Sequence, residues 1–408
     1  MNIEILDGPG GHPALRLAAR ELGAYLGRML PQGGTLSIET ALDGSMDGDG
    51  PDRFQVCAGA GRVTVTGNRP RSVLLGVYDY LRRLGCRFLG PGEQCEVVPS
   101  VSPDGLAMDY EVTASFRHRG VCIEGADSRE NVLDFIAWLP KAGYNGFFLQ
   151  FKTPYAFLAR WYHHERVPTR QPEPFTPGDA AQALAVLEAA VKERDLELHA
   201  VGHGWTGEAL GYESVSWDAD PTPLADERRR LAASVNGVRG LWKGVPANTN
   251  LCFHNGDAVD AFAAQVADYA QAHRGVDCLH VWLADEYNNV CECEGCQSTT
   301  PSDQYVELLN EIDRRLTDRG LGTRIVFLLY QELLWPPVRA RLANPDRFVL
   351  MFAPISRTFE RSYQAAGELP AIPEYVRNRI ELPTSLPQNL AFLRGWQRVF
   401  QGDSFVDD

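Results

Sequence analysis

The residues best suited to chemistry lie together in one stretch, Leu279 to Cys296, reading LHVWLADEYNNVCECEGC. An apolar run (Leu279, Val281, Trp282, Leu283) ends in the acidic pair Asp285-Glu286, and Cys291, Cys293 and Cys296 follow in a C-x-C-x-x-C spacing. Adjacent carboxylates just beyond a short apolar run suit general acid/base work at the end of a buried strand. Thiols at these spacings suit a soft metal: three thiolates would take three corners of a structural zinc tetrahedron, with Cys252 or His254 as the fourth ligand. No second C-x-x-C closes such a site, and reduced thiols or a local disulfide fit the spacing as well. In each case the cluster would brace the loop beyond Asp285-Glu286.

The elements that must position this stretch can be read along the chain. Residues 2–6 alternate like a strand, and Leu15, Ala18, Leu22, Tyr25, Leu26 and Met29 follow at helical spacing. A Gly/Asp-rich loop spans Leu42 to Asp52, with strands expected at Phe54–Cys57 and Arg62–Thr66 and a helix over Pro70–Leu84. Cys57 and Cys122 lie in apolar runs and read as buried thiols. The turn-rich connection VSPDGLAMDYEV closes this small α+β unit, so the expected domains are 1–110 and 111–408.

From Phe116 the pattern becomes strand then helix, repeated. Strands are expected at Gly120–Glu124, Gly146–Phe151, Leu196–Val201, Cys278–Ala284, Arg324–Tyr330 and Phe348–Ala353, with a seventh at Ser404–Val406. The intervening helices are expected at Glu130–Ala142, Pro177–Arg194, Ala258–His273, Pro301–Leu316 and Pro387–Phe400. This predicts an α/β fold, a (β/α)8 TIM barrel lacking its eighth unit, with the chain either truncated within the pattern, the favoured reading, or the barrel itself incomplete or completed by a partner. A doubly wound dinucleotide fold is disfavoured, because no G-x-G-x-x-G follows the first strand of either part.

Barrel chemistry gathers at the carboxyl ends of the strands. Those ends carry Glu124 on the first strand, His203 and Trp205 on the third, Asp285, Glu286 and Tyr287 on the fourth, and Tyr330, Glu332 and Trp335 on the fifth. Carboxylates to work on a glycosidic bond, aromatic faces for sugar rings and charged groups for hydroxyls make a carbohydrate site. The 39 Lys+Arg against 53 Asp+Glu, a net charge of −14, would repel a phosphate backbone, so nucleic acid is not an expected partner. No apolar stretch approaches the ~18 residues of a membrane span. The start MNIEILDGPGG lacks a signal peptide's basic and apolar regions, and nine scattered cysteines do not suggest a secreted disulfide framework, so a cytoplasmic protein is expected.

Two resemblances sharpen these expectations. The run VTGNRPRSVLLGVYDYLRRLGCRFLGPGEQCEVVP is similar to the small domain that precedes the barrel in family 20 β-hexosaminidases and in α-glucuronidases. The family 20 likeness implies Glu286 as general acid/base, Asp285 as the group orienting the substrate's acetamido oxygen for attack, and Arg119 as a grip on the terminal sugar. The CECEGC cluster, NTNLCFHN, PSDQYVELLNEI and GWQRVFQGDSF together resemble the domain-of-unknown-function family 4838, which includes glycoside hydrolase family 163. That implies an endo-acting β-N-acetylglucosaminidase, although this chain has Ala284-Asp285-Glu286 where relatives carry an Asn-Asp-Gly type sequence. The expected catalysis requires no cofactor. The alternatives are an α-glucuronidase-like or other glycosidase using two protein carboxylates, Glu286 with Glu332 or Glu124, and a non-catalytic carbohydrate-binding barrel.

Overall fold

The computed structural model describes residues 2–6, 11–30 and 35–408. They divide into two compact units, 1–148 with 157–198 and 149–156 with 199–408.

The first unit opens with β1 (Asn2–Leu6), α1 (Pro13–Met29), β2 (Thr35–Leu42), β3 (Arg53–Gly59), β4 (Arg62–Gly67) and α2 (Pro70–Arg83). A ribbon of β5 (Arg87–Phe88) and β6 (Glu96–Val97) and then β7 (Met108–Thr113) follow. The five-stranded sheet has the order β1-β2-β4-β3-β7. Proline at the first position starts both helices, where its missing N–H is not needed. Leu22, Leu26, Val73, Val77 and Leu81 from the helices meet Ile38, Val56, Val63 and Val65 from the strands in a core sealed from solvent. Each such side chain contributes about 1.5–3 kcal/mol by burial. Gly76 lets α2 approach closely, since a Cβ there would stand 2.9 Å from Phe54 and Val65.

Two expectations are corrected in this unit. Residues 108–113, expected as part of a connection, form β7, which pairs antiparallel with β3 from Arg53↔Thr113 to Ala58↔Met108. Their alternation is present but partnered by Asp109 and Glu111 on the outer face, which dilutes the apolar signal. Cys57 is exposed rather than buried, because it falls on the outward phase of β3, beside Asp109; Cys122 is half-buried.

The chain continues through β8 (Gly120–Cys122), α3 (Arg129–Ala142), β9 (Gly146–Gln150), α4 (Tyr155–Tyr162), α5 (Pro177–Glu193) and β10 (Glu197–Gly202). Ser128 caps α3, and Thr176 with Asp179 forms a capping box on α5.

The second unit adds α6 (Trp205–Ala209), α7 (Asp226–Arg229), a ribbon of β11 (Ser234–Val235) and β12 (Val238–Arg239), and α8 (Gly256–Ala272). Then come β13 (Cys278–Val281), α9 (Glu294–Gln297), α10 (Pro301–Asp318), β14 (Arg324–Leu329), β15 (Phe348–Phe352), α11 (Leu386–Gln397) and β16 (Asp403–Val406). Strands β10, β13, β14, β15 and β16 pair in parallel in that order. With β8 and β9 the large sheet has the order β8-β9-β10-β13-β14-β15-β16, an open, curled parallel sheet flanked by helices, as expected of an incomplete TIM barrel preceded in the chain by a smaller α+β part. Its inner strands β9, β13 and β15 are buried along their length, which is why they read as continuous apolar runs rather than alternations. Among the described residues no helix is long and apolar enough to cross a membrane.

Candidate active site

In the second unit β10, β13 and β14 are neighbours, so the residues beyond their carboxyl ends converge. Strand β13 stops at Val281, and Trp282 to Ala284 remain buried as the chain leaves the sheet to deliver Asp285. The Asp285 backbone N–H donates to the Ala247 carbonyl at 3.0 Å, and the Ala284 N–H reaches Asn250 Oδ1 at 3.4 Å. The carboxylate is held at both oxygens. The Tyr330 hydroxyl donates to Oδ1 and the Trp217 indole N–H to Oδ2, each at 2.8 Å.

His203 Nε2 stands 3.7 Å from Asp285 Oδ2, among the rings of Phe151, Trp217 and Trp282. Burial lowers its basicity more than Asp285 restores it, so the imidazole is neutral. Left-handed backbone recurs at this end of the sheet, at Phe151 (φ 60°), Val201 (φ 75°) and Gln331 (φ 54°). Each costs about 1–3 kcal/mol and persists only where the surroundings enforce it, as at functional sites; a β-branched valine is the clearest case.

Glu286 accepts from Lys243 Nζ at 2.6 Å, and Tyr287 beside it presents an exposed ring. Glu332 is buried, 4% exposed, and accepts the Asn288 backbone N–H at 2.5 Å. Burial pushes its carboxyl up to about 7, against the pull of that N–H and of Arg377.

The other expected residues are divided between the two units. Trp205 opens α6 and is 1% exposed, its indole N–H bound to the His280 carbonyl at 2.9 Å. Trp335 is also buried; it donates to the Pro373 carbonyl at 2.7 Å, packs on Phe392 and borders a cavity of about 420 Å³ formed with residues 370–383. Arg119 lies before β8 in the first unit, where it donates to Asp52 Oδ2 at 2.8 Å and to the Gly143 carbonyl. Glu124 lies beyond β8 in that same unit and is exposed.

Trp217 and Lys243 went unread in the sequence. Both belong to the excursion between β10 and α8, too long for an ordinary strand–helix loop, and that length was the available signal.

Cys252, Cys291, Cys293 and Cys296 come together with all four sulfurs within 4.8 Å of one another, and this set could hold a metal ion. Cys252, and not His254, joins the C-x-C-x-x-C thiols, and none of the nine cysteines is in a disulfide.

No protein-family model matches the sequence, and no curated protein matches it. Solved structures that the chain matches include the family 20 β-N-acetylhexosaminidase of Streptomyces coelicolor A3(2), at 15% identity and a TM-score of 0.47, covering 100% of this chain and 70% of that one. A glycoside hydrolase family 20 β-N-acetylglucosaminidase matches at 17% identity and a TM-score of 0.49, over 99% and 70% of the two chains. A family 138 enzyme targeting pectin rhamnogalacturonan II matches at 12% identity and a TM-score of 0.53, over 89% of this chain and 39% of its own. The chain thus spans between 39% and 70% of these proteins, and the last likeness is one of fold.

Proposed function

We propose that this chain is a glycosidase acting on β-linked N-acetylglucosamine-containing glycans, with the substrate's acetamido oxygen as nucleophile. The observation that carries the reading is Asp285, fixed at both oxygens by Tyr330 and Trp217 beyond the end of a central parallel strand. A carboxylate so held cannot rotate away. It can accept the acetamido N–H, turn the acetamido oxygen toward the anomeric carbon and stabilise the positive charge of the oxazolinium that forms. Glu286, next in sequence, would protonate the leaving oxygen, and the rings of Trp217 and Tyr287 offer faces to sugar. The family 20 resemblance implies these same roles, and the family 4838 resemblance favours endo action on complex N-glycans. Cytoplasmic location belongs to the same reading.

Hydrolysis of an aryl N-acetyl-β-glucosaminide and of a complex N-glycopeptide by wild type, Asp285→Asn and Glu286→Gln tests it. Each variant should lose roughly 10²–10⁴-fold in kcat. Equal activity in all three sinks the roles, and cleavage of the glycopeptide alone identifies an endo enzyme. Glycan binding without hydrolysis would make the chain a binding barrel.

Glu332 favours a second reading. A buried carboxyl pushed up to about 7 is matched to acid work near neutral pH, which suits a pair of protein carboxylates, Glu286 and Glu332. A thiazoline analogue of the oxazolinium should inhibit only the acetamido mechanism.

A further inference from the structure

We propose that Cys252, Cys291, Cys293 and Cys296 bind a single structural Zn²⁺ ion that locks the excursion before α8 to the loop carrying Asp285 and Glu286. The geometry is that of one ion. Four thiolates at about 2.3 Å from a tetrahedral zinc stand about 3.8 Å from each other. Here Cys252 Sγ lies 3.6 Å from that of Cys293 and 3.9 Å from that of Cys296, and every pair lies within 4.8 Å. A polynuclear iron–sulfur cluster would spread its thiolates wider.

The surroundings are those of thiolates rather than of packed thiols. The Ser234 backbone N–H donates to Cys291 Sγ at 3.3 Å, and Arg239 Nη2 lies 3.9 Å from Cys252 Sγ. Arg377 adds positive charge nearby, bound to the carbonyls of Cys291, Cys296 and Thr299 at 2.6–2.9 Å. Such outer partners offset the negative charge of a four-thiolate zinc site and hold its ligands in place. Gly295 is also needed, because a Cβ there would stand 2.1 Å from the His254 ring.

The local fold needs a cross-link. Among the described residues the buried cluster here is Ala233, Val235, Cys252, Cys291 and Cys296, with half-buried Trp242 and Cys293 against it, and the adjoining elements are two-residue strands and four-residue helices. So small a core is a setting in which a metal supplies the missing stability. Beyond the cysteines, Asn250 donates to Asn289 at 2.8 Å and Asn289 to the Asn248 carbonyl at 2.6 Å, a ladder that reaches Asp285 through Ala247. The ion would fix the far end of that ladder, and no step of hydrolysis passes through it.

Elemental analysis of the full chain, purified without chelator, should find about one zinc per chain and no iron. Native thiol titration should leave the four ligands unreactive along with buried Cys86 and Cys278, and chelator added under native conditions should release the four ligands. Exchange with Co²⁺ should bring the sulfur-to-cobalt charge-transfer bands of a tetrahedral four-thiolate site. Cys293→Ser alters the half-buried ligand and should fold by circular dichroism while losing stoichiometric zinc. A wild-type chain without zinc, with iron in its place or with a disulfide among these cysteines, or a Cys293→Ser chain retaining full zinc, overturns the proposal. A zinc-loaded chain that hydrolyses neither glycan overturns the functional reading and leaves the metal site standing.

Discussion

Asp285 and Glu332 are carboxylates of one site in opposite surroundings. Asp285 is reached by two side-chain donors, whereas Glu332 is buried with backbone N–H groups as its donors. For Glu332 the consequence is a pH-dependent stability. Burial raises its carboxyl from 4.5 to about 7, so the folded chain holds the proton more tightly than the unfolded chain does. Its contribution is complete below about pH 4.5 and is lost as pH rises through about 7, on the order of 3 kcal/mol across that window. Glu332→Gln keeps the shape and cannot ionise. Urea unfolding at about pH 5 and pH 8 should therefore show a shallower loss of stability in the variant, with the variant the more stable at the higher pH. Parallel losses in the two proteins would mean that the Glu332 site accommodates charge. The same substitution should cost little activity if acetamido attack is the mechanism and most of it if Glu332 is the acid.

The turn from β10 into α6 decides where His203 and Trp205 go. Gly204 caps α6 at φ 105°, and a Cβ there would meet the Ser214 carbonyl oxygen at 2.6 Å. Gly211, at the far end of α6, has φ 95° but nothing within 4 Å of a Cβ position. Gly211→Ala should thus show the left-handed penalty alone, about 1–2 kcal/mol. Gly204→Ala adds a backbone clash and should lose at least ~2 kcal/mol more, with reduced activity because His203 and the Trp217 segment must shift. Thermal unfolding of the pair separates the terms, and equal losses would mean that the turn relaxes freely. His203 and Trp205 are two residues apart, yet one stands beside Asp285 while the other is buried against the His280 carbonyl. Helix entry between them sends their side chains in different directions.

At the scale of the molecule, the first unit is organised on a buried charge network. Asp52 is 1% exposed and receives Arg71 Nε at 2.8 Å, Arg119 Nη2 at 2.8 Å and Asn145 Nδ2 at 2.7 Å. It thereby joins the β2–β3 loop, α2 and the segments leading into β8 and β9. Burial pushes its carboxyl upward, but Arg71, Arg119 and Asn145 together hold it below the usual range. That stability is present above about pH 4 and is lost as pH falls through the folded value. Asp52→Ala would remove the carboxylate shared by Arg69, Arg71 and Arg119 and should destabilise the chain by about 3–5 kcal/mol at neutral pH. A loss below ~1 kcal/mol by urea unfolding would mean that the arginines find other partners. Arg119, expected from its resemblance to grip a sugar, is occupied in this network.

Much of the architecture was legible along the chain because burial on a strand or helix leaves a local, periodic trace. All seven barrel strands and the five long helices after Phe116 were expected within a few residues of where they lie. β7 is faint where acidic residues take its outer face, and the short α4 where no long period can form. The acidic pair and the three clustered cysteines were equally plain, since their spacing is itself local. The fourth cysteine, the donors Trp217 and Tyr330 on Asp285, the Lys243 partner of Glu286 and the burial of Glu332 were decided by tertiary structure. Each depends on segments distant in sequence meeting beyond the strand ends, where side-chain direction is set by packing and left-handed turns rather than by any period the sequence carries.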